Sequence, residues 1–363
     1  MTRRPTISDV ARAAGVSPST ASVVFSGKTP VSDATRQRVL DAAESLGYTG
    51  PDPLAASLRR GRTGIVGVLQ RGPLGIAFTD PVQRSTMDGL ADAVGVLDAS
   101  LLLLRPAPDR PAPAAAAAPS AAAAPEAEPA AAPGAPITAA ATLATVPLDA
   151  AVVFGTIPEA ADDVATLRAR GVPVVVIEGD AGEGVPQIGL DNHDAQRCVA
   201  DHVRRLGHRD VAVVTLPPRL NVTHERLDGL REIFPDAPAY PTLASSIDEG
   251  LRVGREIFAR SRPTAVLAQS DLLAAGVIRA AEEAGLSVPG DVSVAGFDGI
   301  PVDGLAPYEL TTMVQPAVEK GRAAGAAIVA MLTGGQPASV RFTSVFRSGN
   351  TTGPRAESAK STP

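Results

Sequence analysis

The chain has 363 residues, 45% of them hydrophobic, with one cysteine, no tryptophan and a formal net charge of −6. That content can bury a sizeable core in more than one unit, while a lone Cys198 excludes a disulfide framework and points to a reducing compartment. The longest apolar stretch, near residues 101–104, is far too short to cross a membrane, and no apolar leader follows MTRRPTISDV, so a cytoplasmic protein is expected.

The first predicted helix opens at Thr6, an N-cap with Asp9 three residues on, and stops at Gly15. Ser17 caps a second, with Pro18 at its first position, where the missing N–H costs nothing, and Gly27 ends it. Ser32 caps a third, on which Val39, Leu40, Ala43 and Leu46 recur at helical spacing beside Arg36 and Arg38 before Gly47 closes it. Helix, tight glycine turn, helix is the pattern of a DNA-reading head, whose second helix enters the major groove with its N-terminal side chains at the base edges. Here those are Ser17, Pro18, Ser19, Thr20 and Ser22, with Thr6 and Lys28 placed for the backbone; for Ser17 and Thr20 capping and packing is an equal reading. Charge agrees: residues 1–62 hold nine Lys and Arg against five Asp and Glu, a net +4, and residues 63–363 hold 24 against 34, a net −10. A basic head on an acidic body keeps nucleic-acid affinity local.

From Tyr48 to Arg62 the chain has too few apolar residues to bury a core alone, so this hinge is expected to become helical only when two copies pair over DNA; an ordinary linker helix is the alternative. Beyond it, GIVGVL at 64, SLLLL at 100, AAVVF at 150, VPVVVI at 172, DVAVV at 210, TAVLA at 264 and DVSVAGF at 291 alternate with helical stretches, which predicts parallel sheets covered on both faces. The expected fold is an all-α helix-turn-helix head on an α/β body of two doubly wound lobes, with ligand in the cleft at the carboxyl ends of the strands. The amphipathic helix over 81–94, with Met87, Leu90 and Val94, is either a dimer face or inward packing. Residues 105–136 form an alanine-proline tract read as a flexible surface insertion, with helix resuming over 138–145, and 354–363 read as a disordered tail.

The runs TISDVARAAGVSPSTAS, VSDATRQRVLDAAESLGY and LAASLRRGRT strongly resemble the head and hinge of the lactose-repressor (LacI/GalR) family of bacterial transcription regulators. Later segments, among them VPQIGLDN, HERLDGL, DVSVAGFDGIP and LTTMVQP, fall in that family's order over nearly the whole chain. The resemblance implies a periplasmic-binding-protein-like body and a homodimer, or pair of dimers, whose heads read the halves of a palindromic double-stranded operator. It implies a small polar effector such as a sugar, no cofactor, and association with the nucleoid. By resemblance Leu58 is the wedge in the central base step, Ala55 and Ala56 allow close helix approach, and Arg59 contacts phosphate. Effector positions carried over are Arg226, Asp298, Gln315, Glu178 and Ser270, with Asp80 standing where the family has Asn before Pro81. Val23 departs from the arginine found there in many members; it cannot read guanine, and is core or a contact to a thymine methyl.

The expected division is a head over 1–49, a hinge over 50–62, and a body over 63–353. Its first lobe takes 63–190 and 316–340, and its second 191–315 and 341–353. No catalytic or metal constellation stands out: the four histidines include no HxxxH or HxH, no GxSxG or GxxxxGK[ST] occurs, and Asp191 to Asp194 reads as a helix cap. The runner-up function is a ligand-binding or protein-co-regulated module of the same fold that has lost ligand control of DNA binding.

Overall fold

The computed structural model describes residues 5–26, 30–50, 61–72, 74–106, 143–180 and 182–355. Chain contacts divide it into two compact units, 1–64 and 65–363.

The head is three helices, α1 (Ile7–Ala14), α2 (Pro18–Ser26) and α3 (Asp33–Ser45). The Thr6 and Asp9 capping box forms in both directions, and Gly15 closes α1 at φ 66, a left-handed turn suited to glycine. Ser17 caps α2 by accepting the Thr20 N–H at 3.1 Å. Ser32 stands at the N-cap of α3, but its hydroxyl donates to the Thr35 hydroxyl at 2.9 Å instead of accepting from the backbone. The core is small: Val10, Ala11, Ala14, Ala21, Val24, Val39 and Ala43, with Phe25 and Tyr48 packed edge to face at 5.4 Å beside it. The helix marked by the spacing of Val39, Leu40, Ala43 and Leu46 forms, and of the two readings of Val23 the core one is not met. Leu40 and Leu46 are exposed, because only Val39 and Ala43 of that stripe face α1; and Val23 is half-buried outside the cluster, its neighbour Val24 having taken the core position.

In the second unit, β1 (Ile65–Leu69), β2 (Ser100–Leu104), β3 (Ala150–Phe154), β4 (Val174–Ile177) and β5 (Gln187–Leu190) join β11 (Val340–Phe342) in a parallel sheet of order β11-β5-β4-β3-β1-β2. A second parallel sheet, order β7-β6-β8-β9, holds β6 (Val211–Thr215), β7 (Ala239–Pro241), β8 (Ala265–Ala268) and β9 (Ser293–Ala295). Helices alternate with most of the strands, so both faces are covered and the central strands are almost wholly apolar. The chain passes between lobes after β5, after β10 (Thr312–Val314) and between β11 and β12 (Val345–Arg347), with β10 and β12 paired antiparallel. Because β11 belongs to the first sheet, residues 341 and 342 lie with the first lobe, two beyond the expected boundary.

The helices follow in chain order: α4 (Gly75–Thr79), α5 (Pro81–Val94), α6 (Ala160–Ala169), α7 (Asn192–Arg205), α8 (Asn221–Arg231), α9 (Ile247–Arg260), α10 (Asp271–Glu283) and α11 (Ala317–Leu332). Leu90 and Val94 of α5 are buried against β1, β3 and α11, with Met87 beside them, so that stripe packs inward. Helices α5 and α11 touch backbone to backbone: a Cβ on Gly321 would sit 1.9 Å from the Thr86 carbonyl oxygen. This crossing sets the first turn of α11, and Lys320 with it, at the carboxyl end of the first sheet.

The expected tail is ordered at its start. The Gly353 carbonyl lies 2.9 Å from His208 Nε2, and the Arg355 N–H donates to the Leu206 carbonyl at 2.9 Å. Residues 356–363 and 107–142 lie outside the described residues, and 143–145 are helical. No helix among the described residues is long and apolar enough to cross a membrane.

Candidate functional site

At the start of α2, Ser17, Pro18 and Ser19 are exposed, and Thr20 and Ser22 half-buried. The Ser17 hydroxyl lies 2.8 Å from those of Ser19 and Thr20, so capping and a shared hydroxyl cluster coexist at the helix end that reads DNA in this architecture. Thr6 is committed to its cap: its Oγ donates to Asp9 Oδ2 at 2.7 Å. Lys28, Ala55, Ala56, Leu58 and Arg59 lie outside the described residues.

In the body, six polar side chains from both lobes close into a ring. Glu178, in the loop after β4, receives the Lys320 ammonium on Oε1 at 2.5 Å. Lys320 also donates to Gln315 Oε1 at 2.6 Å, and Gln315 Nε2 donates to Asp298 Oδ1 at 2.7 Å. Asp298, after β9, faces Arg226 Nη1 of α8 at 3.6 Å, and Arg226 Nε donates to Asn192 Oδ1 at 2.9 Å. Asn192, the first residue of α7, completes the circuit by donating to Glu178 Oε2 at 3.2 Å, and it also donates to Glu225 at 3.0 Å. Glu178 and Lys320 belong to the first lobe, Asp298 and Arg226 to the second, and Gln315 and Asn192 to the crossovers.

Burial makes these contacts count, because an ion pair out of water is screened little and an unpaired charge there is expensive. Arg226 is 5% exposed and Lys320 2%. The guanidinium of Arg226 lies over the Phe297 ring at 3.7 Å and donates to the Gln269 carbonyl at 2.5 Å. Gln269 is itself fixed, accepting from the Leu216 N–H and donating to the Thr223 carbonyl. Burial pushes the Asp298 carboxyl up to about 8 against the pull of Arg226, with Asp271 and Asp80 adding to the rise. Burial also pushes Asp271 up to about 6, against the bonds it accepts from Thr312 and the Ile300 N–H. For Glu178, burial opposes the charge, but Lys320 and Arg226 prevail and hold it below its ordinary value.

Of the positions carried over from the sequence, Arg226, Asp298, Gln315 and Glu178 meet in this ring. Asp80 caps α5, accepting the Val82 and Gln83 N–H groups on Oδ1, and burial raises its carboxyl against the fields of those donors, Arg226 and Lys320. Ser270 is turned to structure: it caps α10 through the Leu273 N–H and accepts from Ser245, which is what its buried place at the helix start demands. Sequence reasoning misses Lys320 and Asn192. The signal for the first is a lysine beside Gly321 in an otherwise alanine- and glycine-rich helix, and Asn192 reads in sequence as part of a cap, a role that Asp191 fills alone.

A cavity of about 430 Å³, lined by Glu178, Gly189, Leu190, Glu225 and Arg341, adjoins the ring at the β5 and β11 edge. A larger groove of about 730 Å³ lies at the amino ends of β4, β5 and β11 and holds none of the ring residues. Ligands of open α/β sheets bind at the other, carboxyl end. Among the described residues no group of three or more His, Cys, Asp or Glu side chains is placed to hold a metal ion.

Comparison with known proteins agrees with this architecture. Residues 6–50 match the family of bacterial regulatory proteins, lacI family, and residues 200–348 match the periplasmic binding protein-like domain. An HTH-type transcriptional regulator of Mycolicibacterium smegmatis is 30% identical, with 98% of each chain covered. The HTH-type transcriptional regulator IpsA of Corynebacterium glutamicum is 31% identical over 90% of this chain and 91% of its own. Among solved structures, a lac repressor dimer bound to operator and the anti-inducer ONPF aligns with a TM-score of 0.75 at 21% identity, covering 97% of this chain and all of that one. A complex of the transcriptional regulator CelR with cellobiose aligns with a TM-score of 0.66 at 24% identity, covering 96% and 100%. These two likenesses are of fold. With the head matched and full-length relatives at this identity, the chain is a DNA-binding transcriptional regulator of the LacI family of bacterial regulatory proteins.

Proposed function

We propose that this regulator binds a palindromic operator as a homodimer, acts as a repressor on the nucleoid, and changes its DNA affinity when a small polar effector such as a sugar enters the cleft. The observation that carries the effector half is the buried ring joining Glu178, Lys320, Gln315, Asp298, Arg226 and Asn192 across both lobes. Groups that donate and accept at fixed angles suit polyhydroxylated molecules, and a ligand meeting members of both lobes shifts the lobe equilibrium by its differential affinity. The partners bound in the fold relatives, operator DNA for the lac repressor and cellobiose for CelR, support the same pairing of roles. In the head, the exposed start of α2 takes the base edges, and Leu58 with its neighbours takes the minor groove.

Selection of DNA from a random pool by the purified protein at near-physiological salt tests the DNA half. Enrichment of a two-fold symmetric site is expected, and Leu58→Ala should lose that site while the body stays folded. A pool with no enrichment beyond nonspecific binding, or full affinity in Leu58→Ala, would overturn the paired-head reading.

A further inference from the structure

A lysine is almost never fully buried unless it is paired, and Lys320 is paired twice, with Glu178 and with Gln315. An ammonium has three N–H donors, so one remains beyond those two bonds. We propose that Lys320 is a specificity-determining residue of the cleft: by occupying Glu178 it makes the site select uncharged polyhydroxylated ligands over amines, acids and phosphates of the same skeleton. The inference rests on reading the cleft as the effector site.

The charges around the ring favour a neutral occupant. Lys320 already holds the Glu178 carboxylate at 2.5 Å, and Arg226 faces the Asp298 carboxyl at 3.6 Å. Arg226 feels the acidic side chains of Asp298, Glu178, Glu225 and Asp80. An anionic ligand would have to stand in a buried site beside Glu178, whose carboxylate Lys320 and Arg226 already hold below its ordinary value. A cationic ligand would meet Lys320 and Arg226 with Glu178 already taken. A hydroxyl does what neither ion can, accepting from one neighbour while donating to another. In the first lobe, Gln70 Oε1, just after β1, and Gln83 Oε1, in the first turn of α5, are buried and without a hydrogen-bond partner among the described residues. Asp80, whose Oδ1 takes the Gln83 N–H, lies within the field of both Arg226 and Lys320, which ties this corner of the first lobe to the ring.

Removing the ammonium inverts the preference. Lys320→Met keeps an unbranched side chain but takes the ammonium from Glu178 Oε1, leaving the Asn192 amide on Oε2, so an amine on the ligand becomes the natural replacement. Full-length protein is titrated by calorimetry and thermal shift with matched sets: glucose, galactose and ribose, and the amino, acid and phosphate analogue of each. In the wild type, at least one neutral sugar binds and its charged analogues bind about tenfold or more weakly. In Lys320→Met the amino sugar gains about tenfold relative to its neutral parent, and the gain disappears when Glu178→Gln is added.

Wild-type protein that binds an amine or a phosphate as tightly as the neutral parent overturns the proposal, as does an unchanged ranking in Lys320→Met. If that variant fails to fold, the wild-type ranking decides alone. Silence from every compound while the selected operator is still bound removes the effector reading itself and this inference with it.

Discussion

Asp298 sits at φ 122, a conformation few residues other than glycine adopt. Its N–H is held by the Met313 carbonyl and its own carbonyl receives the Gln315 N–H, so the crossover strand fixes the backbone and aims the carboxyl at Arg226. Burial raises that carboxyl from its ordinary 3.8 to about 8. A folded-state value above the unfolded one means that the stabilising contribution is complete below the unfolded value and is lost as pH rises through the folded one. Thermal midpoints of the wild type should therefore fall between about pH 4 and pH 8, and Asp298→Asn, of the same shape but unable to titrate, should flatten the profile over that window. Coincident profiles for the two proteins would contradict this assignment. Arg226, Asp298 and Gln315 are legible in the sequence through HERLDGL, DVSVAGFDGIP and LTTMVQP, which fall in the resembled family's order, and Glu178 by its position in that order. Lys320 and Asn192 are not, because what defines them is contact with Glu178, 142 and 14 residues away along the chain.

Between elements, the α5 and α11 crossing does the positioning. Gly321 and Gly89 let the two backbones meet, since a Cβ on Gly89 would lie 2.1 Å from the Val318 carbonyl oxygen. Gly321→Ala should force the helices apart and cost about 1–3 kcal/mol or more, read as a lower midpoint in urea. Gly75→Ala is the control, since a Cβ there meets no atom within 4 Å. Equal midpoints for the two variants would mean that the crossing is not tight. The longer strands are readable from sequence as unbroken apolar runs such as AVVF and VVVI. The others are not: β5 alternates buried and half-buried residues, and β7, β10, β11 and β12 are three residues long, so they exist through their partners and not through their own pattern. The same limit explains α3 and the residue after it, where periodicity marks four apolar positions and tertiary packing uses two.

Across the whole molecule the chain separates its two tasks by charge, a net +4 over residues 1–62 and −10 over the rest. Head and body are therefore distinguishable from the order of residues alone, and the strand ends locate the cleft. A closed ring of side chains linking both lobes is beyond that reading, because its members meet only once both sheets and the crossovers between them have formed. The proposed effector control requires that ligand at this ring change the affinity for DNA. The measurement is the affinity for the selected operator, at fixed salt, with and without a saturating sugar found by calorimetry, in the wild type and in Arg226→Met. Wild-type affinity should change by about fivefold or more in one direction, and Arg226→Met should bind the operator but no longer respond. An operator affinity indifferent to a sugar that demonstrably binds the cleft, or a response preserved in Arg226→Met, would contradict it.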